Sequence, residues 1–181
     1  MDGIRTAINT LDSGDSYEVR GFIMEKEKKE LKAAIEACQA IIPPNWELIE
    51  SGEPIGSSKT MSVGVMPWHL HRKNVSGMAS CLGAYKVHEC GTKTMLAHIN
   101  IDPEKNFGDE YYAVLIHELA HIVVNRTHYG RGKTPPCDAH GACFLRAFSR
   151  LIERAAKIFG DRSKVVIFAR VDYDRFARKN R

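Results

Sequence analysis

The chain has no CxxC pair, no internal repeat, no low-complexity segment and no apolar run near the ~20 residues that a membrane span needs. Its cysteines are Cys38, Cys81, Cys90, Cys137 and Cys143, an odd number with no zinc-ribbon spacing. A disulfide framework and a four-cysteine metal site are thereby excluded as organising features, and reduced thiols are expected. The opening stretch MDGIRTAINTLDSGDSYEVR is polar and lacks the apolar centre of a signal peptide. These absences predict a cytoplasmic, intracellular protein that makes no use of a membrane.

What remains is ordinary for one folded domain. The sequence has 181 residues, 44% hydrophobic and 27% charged. That length buries enough apolar surface to fold without covalent staples. The formal net charge of +4 is a mild basic bias, compatible with nucleic acid without requiring it. Aromatics make up 8% and do not interleave with the basic residues, so no base-stacking groove is evident.

Along the chain, residues 1–23 read as a loosely ordered leader. Residues 24–42 have helical spacing at Leu31, Ala34, Ile35, Cys38, Ile41 and Ile42, ended by Pro43 and Pro44. WELIESG suggests a short strand, and MSVGVMP a second that Pro67 interrupts. Residues 77–89 and 93–102 read as two strands joined by a tight turn around Gly91. In the later one Met95, Ala97, Ile99 and Ile101 share a face. A helix starts near Asp109 and stops near Gly130, and another runs from about Asp138 to Phe159, ending at Gly160. KVVIFARVDY has the composition of a strand, and a basic tail follows it. The elements add up to an α+β domain.

The chemistry concentrates in HELAH, residues 117–121. On a helix, residues four apart differ by about 40° in azimuth and about 6 Å along the axis. His117 and His121 therefore project from one face and can share a Zn²⁺ ion, while Glu118 can act as general base on a water held there. Random placement of the chain's histidines and glutamates gives only about 0.02 copies of this pattern. Its neighbours Val114, Leu115, Leu119, Ile122 and Val123 are apolar, so a charged and titratable triplet on that helix needs a reason.

A catalytic zinc takes a third protein ligand and keeps one position open. His140 is the best placed, since the loop GRGKTPPCDA lets the next helix fold back over HELAH. Asp138 is the runner-up, as a ligand or as acceptor for an imidazole N–H. His128 lies two turns beyond His121, about 10 Å along the helix, too far for the same ion. His69, His71, His88 and His98 read as ordinary strand-face residues, with a place in a substrate groove as the alternative for His98. Cys143 reads as a packing thiol, and Tyr129 is the candidate oxyanion donor.

HELAH followed by HGACF, with His140, Gly141 and Phe144, resembles the SprT-like zincin metallopeptidases, in the small form without a zinc ribbon. The likeness covers roughly residues 77–155. It departs at Ala142 and Cys143, where Pro-Glu often follows the HG pair. It implies one Zn²⁺ per chain held by His117, His121 and His140, with Glu118 as base. It implies a small zincin-like domain, a three- or four-stranded sheet packed on the HExxH helix and flanking helices. The domain is expected over 24–162, with 163–181 a strand-like segment and basic tail. The expected reaction is peptide-bond hydrolysis on a protein or peptide substrate, with nucleic acid as a further candidate partner. Two competing expectations are a DNA-associated or partner-binding zincin-fold module with little or no turnover, and a metal-free scaffold with packing histidines.

Overall fold

The computed structural model describes residues 13–50, 59–67, 76–87, 93–103, 105–106, 108–129 and 139–179. Helix α1 (Ser13–Ile41) leads into strands β1 (Trp46–Glu50), β2 (Met61–Pro67), β3 (Gly77–Val87) and β4 (Lys93–Ile101). Helices α2 (Glu110–Tyr129), α3 (Ala142–Phe159) and α4 (Lys164–Lys179) follow. This is an α+β architecture built on a four-stranded mixed sheet. Among the described residues no helix is long and apolar enough to cross a membrane.

The sheet order is β1-β2-β4-β3. β2 runs parallel to both β1 and β4, and β3 lies antiparallel to β4 at the edge. Register explains the core. Val63 pairs with Ala97 and Val65 with Ile99, so their side chains point to one face. Met61, Val63, Val65, Ala97, Ile99 and Ile101 are all fully buried there. The helices close over that face. α1 brings Ala34, Cys38 and Ile41, α2 Leu115, Leu119 and Ile122, and α3 Phe144, Phe148 and Leu151. Val165, Val166 and Ala169 of α4 complete the same core.

Local signals set the element ends. Pro43 and Pro44 stop α1 as expected, but its start lies at Ser13, not residue 24, so the segment expected as a loose leader is helical from there. Gly108 takes φ +54° in the turn before α2, a conformation that favours glycine, and donates its N–H to Glu30 Oε2 of α1 at 3.0 Å. α3 begins at Ala142, a turn later than expected, and Gly160 ends it with φ +83°.

The largest correction is at the C-terminus. The segment expected as a strand is α4. Two features override its β-branched composition. Ser163 caps the helix, its carbonyl accepting from Val166 and Ile167 and its hydroxyl from Val166 N–H at 3.4 Å. Val165, Ala169 and Tyr173 then recur every four residues and pack on the core. Propensity is a weak prior where a tertiary face is available. The tight turn expected around Gly91 and the loop expected from Gly130 fall at residues 88–92 and 130–138, outside the described residues.

Candidate metal centre

α2 is buried from Leu115 to Ala120 and again at Ile122, and its core face is apolar. On the flank toward α3 and α4 it presents His117 and His121, with Glu118 beside them on the side of β3. His117 and Glu118 are buried at 8% and 6% exposure, and His121 is half-buried. His140 precedes α3, whose first turn is entered through Gly141 in an extended conformation. This geometry brings His140 onto the two α2 histidines. Nε2 of His140 lies 3.0 Å from Nε2 of His117 and 3.2 Å from Nε2 of His121.

Phe144 is the reason the three rings hold together. It stands four residues after His140, one helical turn on, and its ring lies 4.8, 4.5 and 4.9 Å from those of His117, His121 and His140. The HGACF motif thus supplies the third imidazole and the hydrophobic floor beneath all three. Phe148 meets His117 at 5.6 Å from the next turn of α3.

The donor set fits a metal ion. Two nitrogens tetrahedrally bound to zinc are about 3.3–3.4 Å apart, given Zn–N bonds of about 2.0–2.1 Å. The two close pairs fall just below that, and all three donor atoms lie within 4.8 Å of one another. A single proton bridges only one pair of nitrogens, so converging three at this spacing without an ion leaves lone pairs facing each other. Protonation of His121 or His140 does not resolve the crowding. Burial, then the charges of His117 and His140, draws His121 down to about 3. Burial, then His117, also lowers His140, against a smaller raising effect of Asp172. Both rings are neutral at physiological pH, which a metal ligand must be.

Glu118 points elsewhere, toward the edge strand. Its Oε2 accepts the backbone N–H of Ala79 at 2.8 Å. β3 comes so close to α2 here that a Cβ on Gly77 would lie 2.6 Å from Val114 Cγ1 and 2.9 Å from Glu118 Oε1. Asn106 fixes that strand end, donating to the carbonyls of Ser76 and Asp102 at 2.8 and 2.7 Å. Burial raises the proton affinity of Glu118, while His117 and the Ala79 N–H oppose the rise.

Of the expected site residues, His117, Glu118, His121 and His140 are therefore brought together. Asp138 lies outside the described residues, as do His69, His71 and His88. Tyr129 closes α2, with its side chain, like that of His128, outside the described set. His98 is on β4 between Ala97 and Ile99, so it faces away from α2 and does not line this site. Cys143 sits on α3, half-buried.

Sequence reasoning missed two contributors, both on α4. Asp172 Oδ2 lies 2.9 Å from Nδ1 of His117. Phe176, one turn on, stacks on His140 at 4.5 Å and 22° and meets His117 at 4.8 Å. Reading residues 163–181 as a strand-like segment with a basic tail hid them. The spacing of Val165, Ala169, Asp172, Tyr173 and Phe176 on one helical face was the signal that could have found them. No protein-family model, curated protein or solved structure matches the chain.

Proposed function

We propose that the chain is a zinc metallopeptidase of the SprT-like zincin type, cleaving protein or peptide substrates inside the cell. One observation carries the reading: three histidine Nε2 atoms converge beside a buried glutamate that is anchored to the edge strand of the sheet. That combination of donor set and base matches peptide hydrolysis better than a structural metal site, which is closed by a fourth protein ligand.

His117, His121 and His140 would hold the ion. Bound zinc would supply Lewis acidity toward the scissile carbonyl and make a nearby water easier to deprotonate. The chain's own groups do the rest. Among the described residues β3 pairs only with β4, so its outer edge can take an extended peptide by strand addition. Ala79 N–H holds one oxygen of Glu118, which leaves Oε1 to take the proton of the attacking water. Glu118 then returns that proton to the leaving amine. Burial suits it to this double task, since a raised proton affinity favours acceptance without irreversible loss. The close approach of β3 to α2 accompanies a carboxylate that is only 6% exposed. Tyr129 is proposed as the oxyanion donor from its place at the end of α2. The net charge of +4 makes nucleic acid the first candidate activator to add.

A metal-free reading has its own observation. His117 as an imidazolium would pair with Asp172 and donate from Nε2 to His140. Metal content decides between the two. Elemental analysis is expected to find one zinc per chain in the wild type and a loss in His140→Ala. Cleavage of an unfolded protein substrate, tested with and without DNA, is expected from the wild type and absent from Glu118→Gln. A wild type without zinc after reconstitution would overturn the metal centre. Zinc without cleavage above Glu118→Gln under either condition would leave a metal-holding, DNA-associated or partner-binding module.

A further inference from the structure

We infer that Asp172 is a positioning residue of the metal centre, so that α4 belongs to the site and is not merely a C-terminal brace. The inference rests on reading the three histidines as ligands. It concerns how the first of them is held.

The argument starts with the proton on His117. An ionised carboxylate only accepts hydrogen bonds. Asp172 Oδ2 lies 2.9 Å from Nδ1, so Nδ1 carries the hydrogen. A neutral His117 then has its lone pair on Nε2, the atom that faces His140 and the shared centre. The contact therefore selects the tautomer that can ligate and fixes the ring's rotation about its Cβ–Cγ bond. It also makes the ring a better donor, because a carboxylate on the far N–H raises imidazole basicity. His117 is the most buried of the three histidines.

The placement of Asp172 is itself built. It stands on the inward stripe of α4, between Ala169, fully buried in the core, and Phe176, stacked on His140. Tyr173 beside it packs edge-on against Phe148 at 5.7 Å. A carboxylate side chain only 21% exposed on an apolar helical stripe is costly without a partner, and the partner it has is the ligand ring. Asp174, two residues on, is exposed and serves as a control on the same helix.

The test is zinc affinity of the full chain, measured by competition with a chromogenic chelator, alongside thermal melting of the metal-free protein. Asp172→Asn keeps an acceptor of the same shape and removes the charge, and is expected to weaken zinc binding about ten-fold. Asp172→Ala removes both and is expected to weaken it by up to about 100-fold. Asp174→Asn is expected to bind as the wild type does. A purely structural role would instead lower the melting temperature of the metal-free protein and leave affinity unchanged in the folded fraction. Wild-type affinity in Asp172→Asn and Asp172→Ala would overturn the inference while the metal centre stands. Failure of the wild type itself to bind zinc would remove the metal centre, and this inference with it.

Discussion

The two edges of the sheet solve the same problem with different chemistry. Each edge strand offers backbone groups that the sheet does not pair. At β1 the answer is an amide. Gln39 of α1 accepts from Leu48 N–H at 2.7 Å through Oε1 and donates to the Trp46 carbonyl at 3.2 Å through Nε2. It imitates a neighbouring strand and engages both ends of its side chain. At β3 the answer is a carboxylate. Glu118 accepts from Ala79 N–H with one oxygen, and the other oxygen stays available beside three converging histidines. A neutral group that donates and accepts seals an edge. In the proposed peptidase, an acceptor-only group with a second oxygen ties the edge to the reaction. The difference explains why one edge carries only stability and the other is expected to carry turnover.

Swapping the carboxylate for an amide should break this contrast most sharply. Glu118→Gln gives β3 the chemistry of β1. The new side chain still accepts from Ala79 N–H, so fold and zinc content are expected to persist, while hydrolysis falls by about 10²–10⁴-fold. Steady-state cleavage with zinc analysis on the same preparation checks this. A variant that lost zinc in proportion to activity would show that Glu118 acts through the site's integrity and not as a base.

The next effect comes from the spacing of β3 and α2. Gly77→Ala puts a methyl group into Val114 and Glu118 Oε1. Val114 is β-branched and on a helix, so it has little rotamer freedom to yield. The carboxylate must then leave its place under Ala79. Expected outcomes are a loss of about 1–3 kcal/mol in urea unfolding and a larger fractional fall in turnover than in zinc content. The opposite edge should respond in stability alone. Gln39→Ala removes two hydrogen bonds worth about 0.5–1.5 kcal/mol each, and activity and zinc affinity of the folded protein are expected to match the wild type. Urea titration and cleavage assays on both variants would test the division of labour directly.

The half of the site on α2 and at the entry to α3 was legible in the sequence because helical spacing turns HELAH into a face and HGACF into a third imidazole with its floor. His117 and His121 need only the 3.6-residue repeat to be placed together. The other half was not legible, for two physical reasons. Asp172 is 55 residues beyond His117, and the contact is set by how α4 packs, which no local spacing encodes. The α4 segment also opens with Val165, Val166 and Ile167, whose branching favours strands until Ser163 caps a helix and the core accepts its apolar stripe. The strands were easier. Alternation in β4 foretold the burial of Ala97, Ile99 and Ile101, whereas the β1-β2-β4-β3 order depends on pairings between distant segments.

The smallest expected effect tests how well the β1 side is sealed. Cys38 lies on α1 one residue before Gln39 and is fully buried, and burial pushes its thiol well above the ordinary 9.0. The sign of the consequence follows from proton counting. Above pH 9 the unfolded chain loses this proton and the folded chain keeps it, so the folded state binds more protons and stability falls as pH rises. Below pH 9 the stabilising difference is fully present. Cys38→Ala removes the titration, at the cost of a small cavity that does not vary with pH. The gap between wild type and variant in urea unfolding is therefore expected to be constant from pH 7 to 8. It should then move in the variant's favour by up to about 1.4 kcal/mol per pH unit above 9. A constant gap through pH 10 would mean that water reaches Cys38 and that the α1–β1 side is less tightly closed than the Gln39 contacts require.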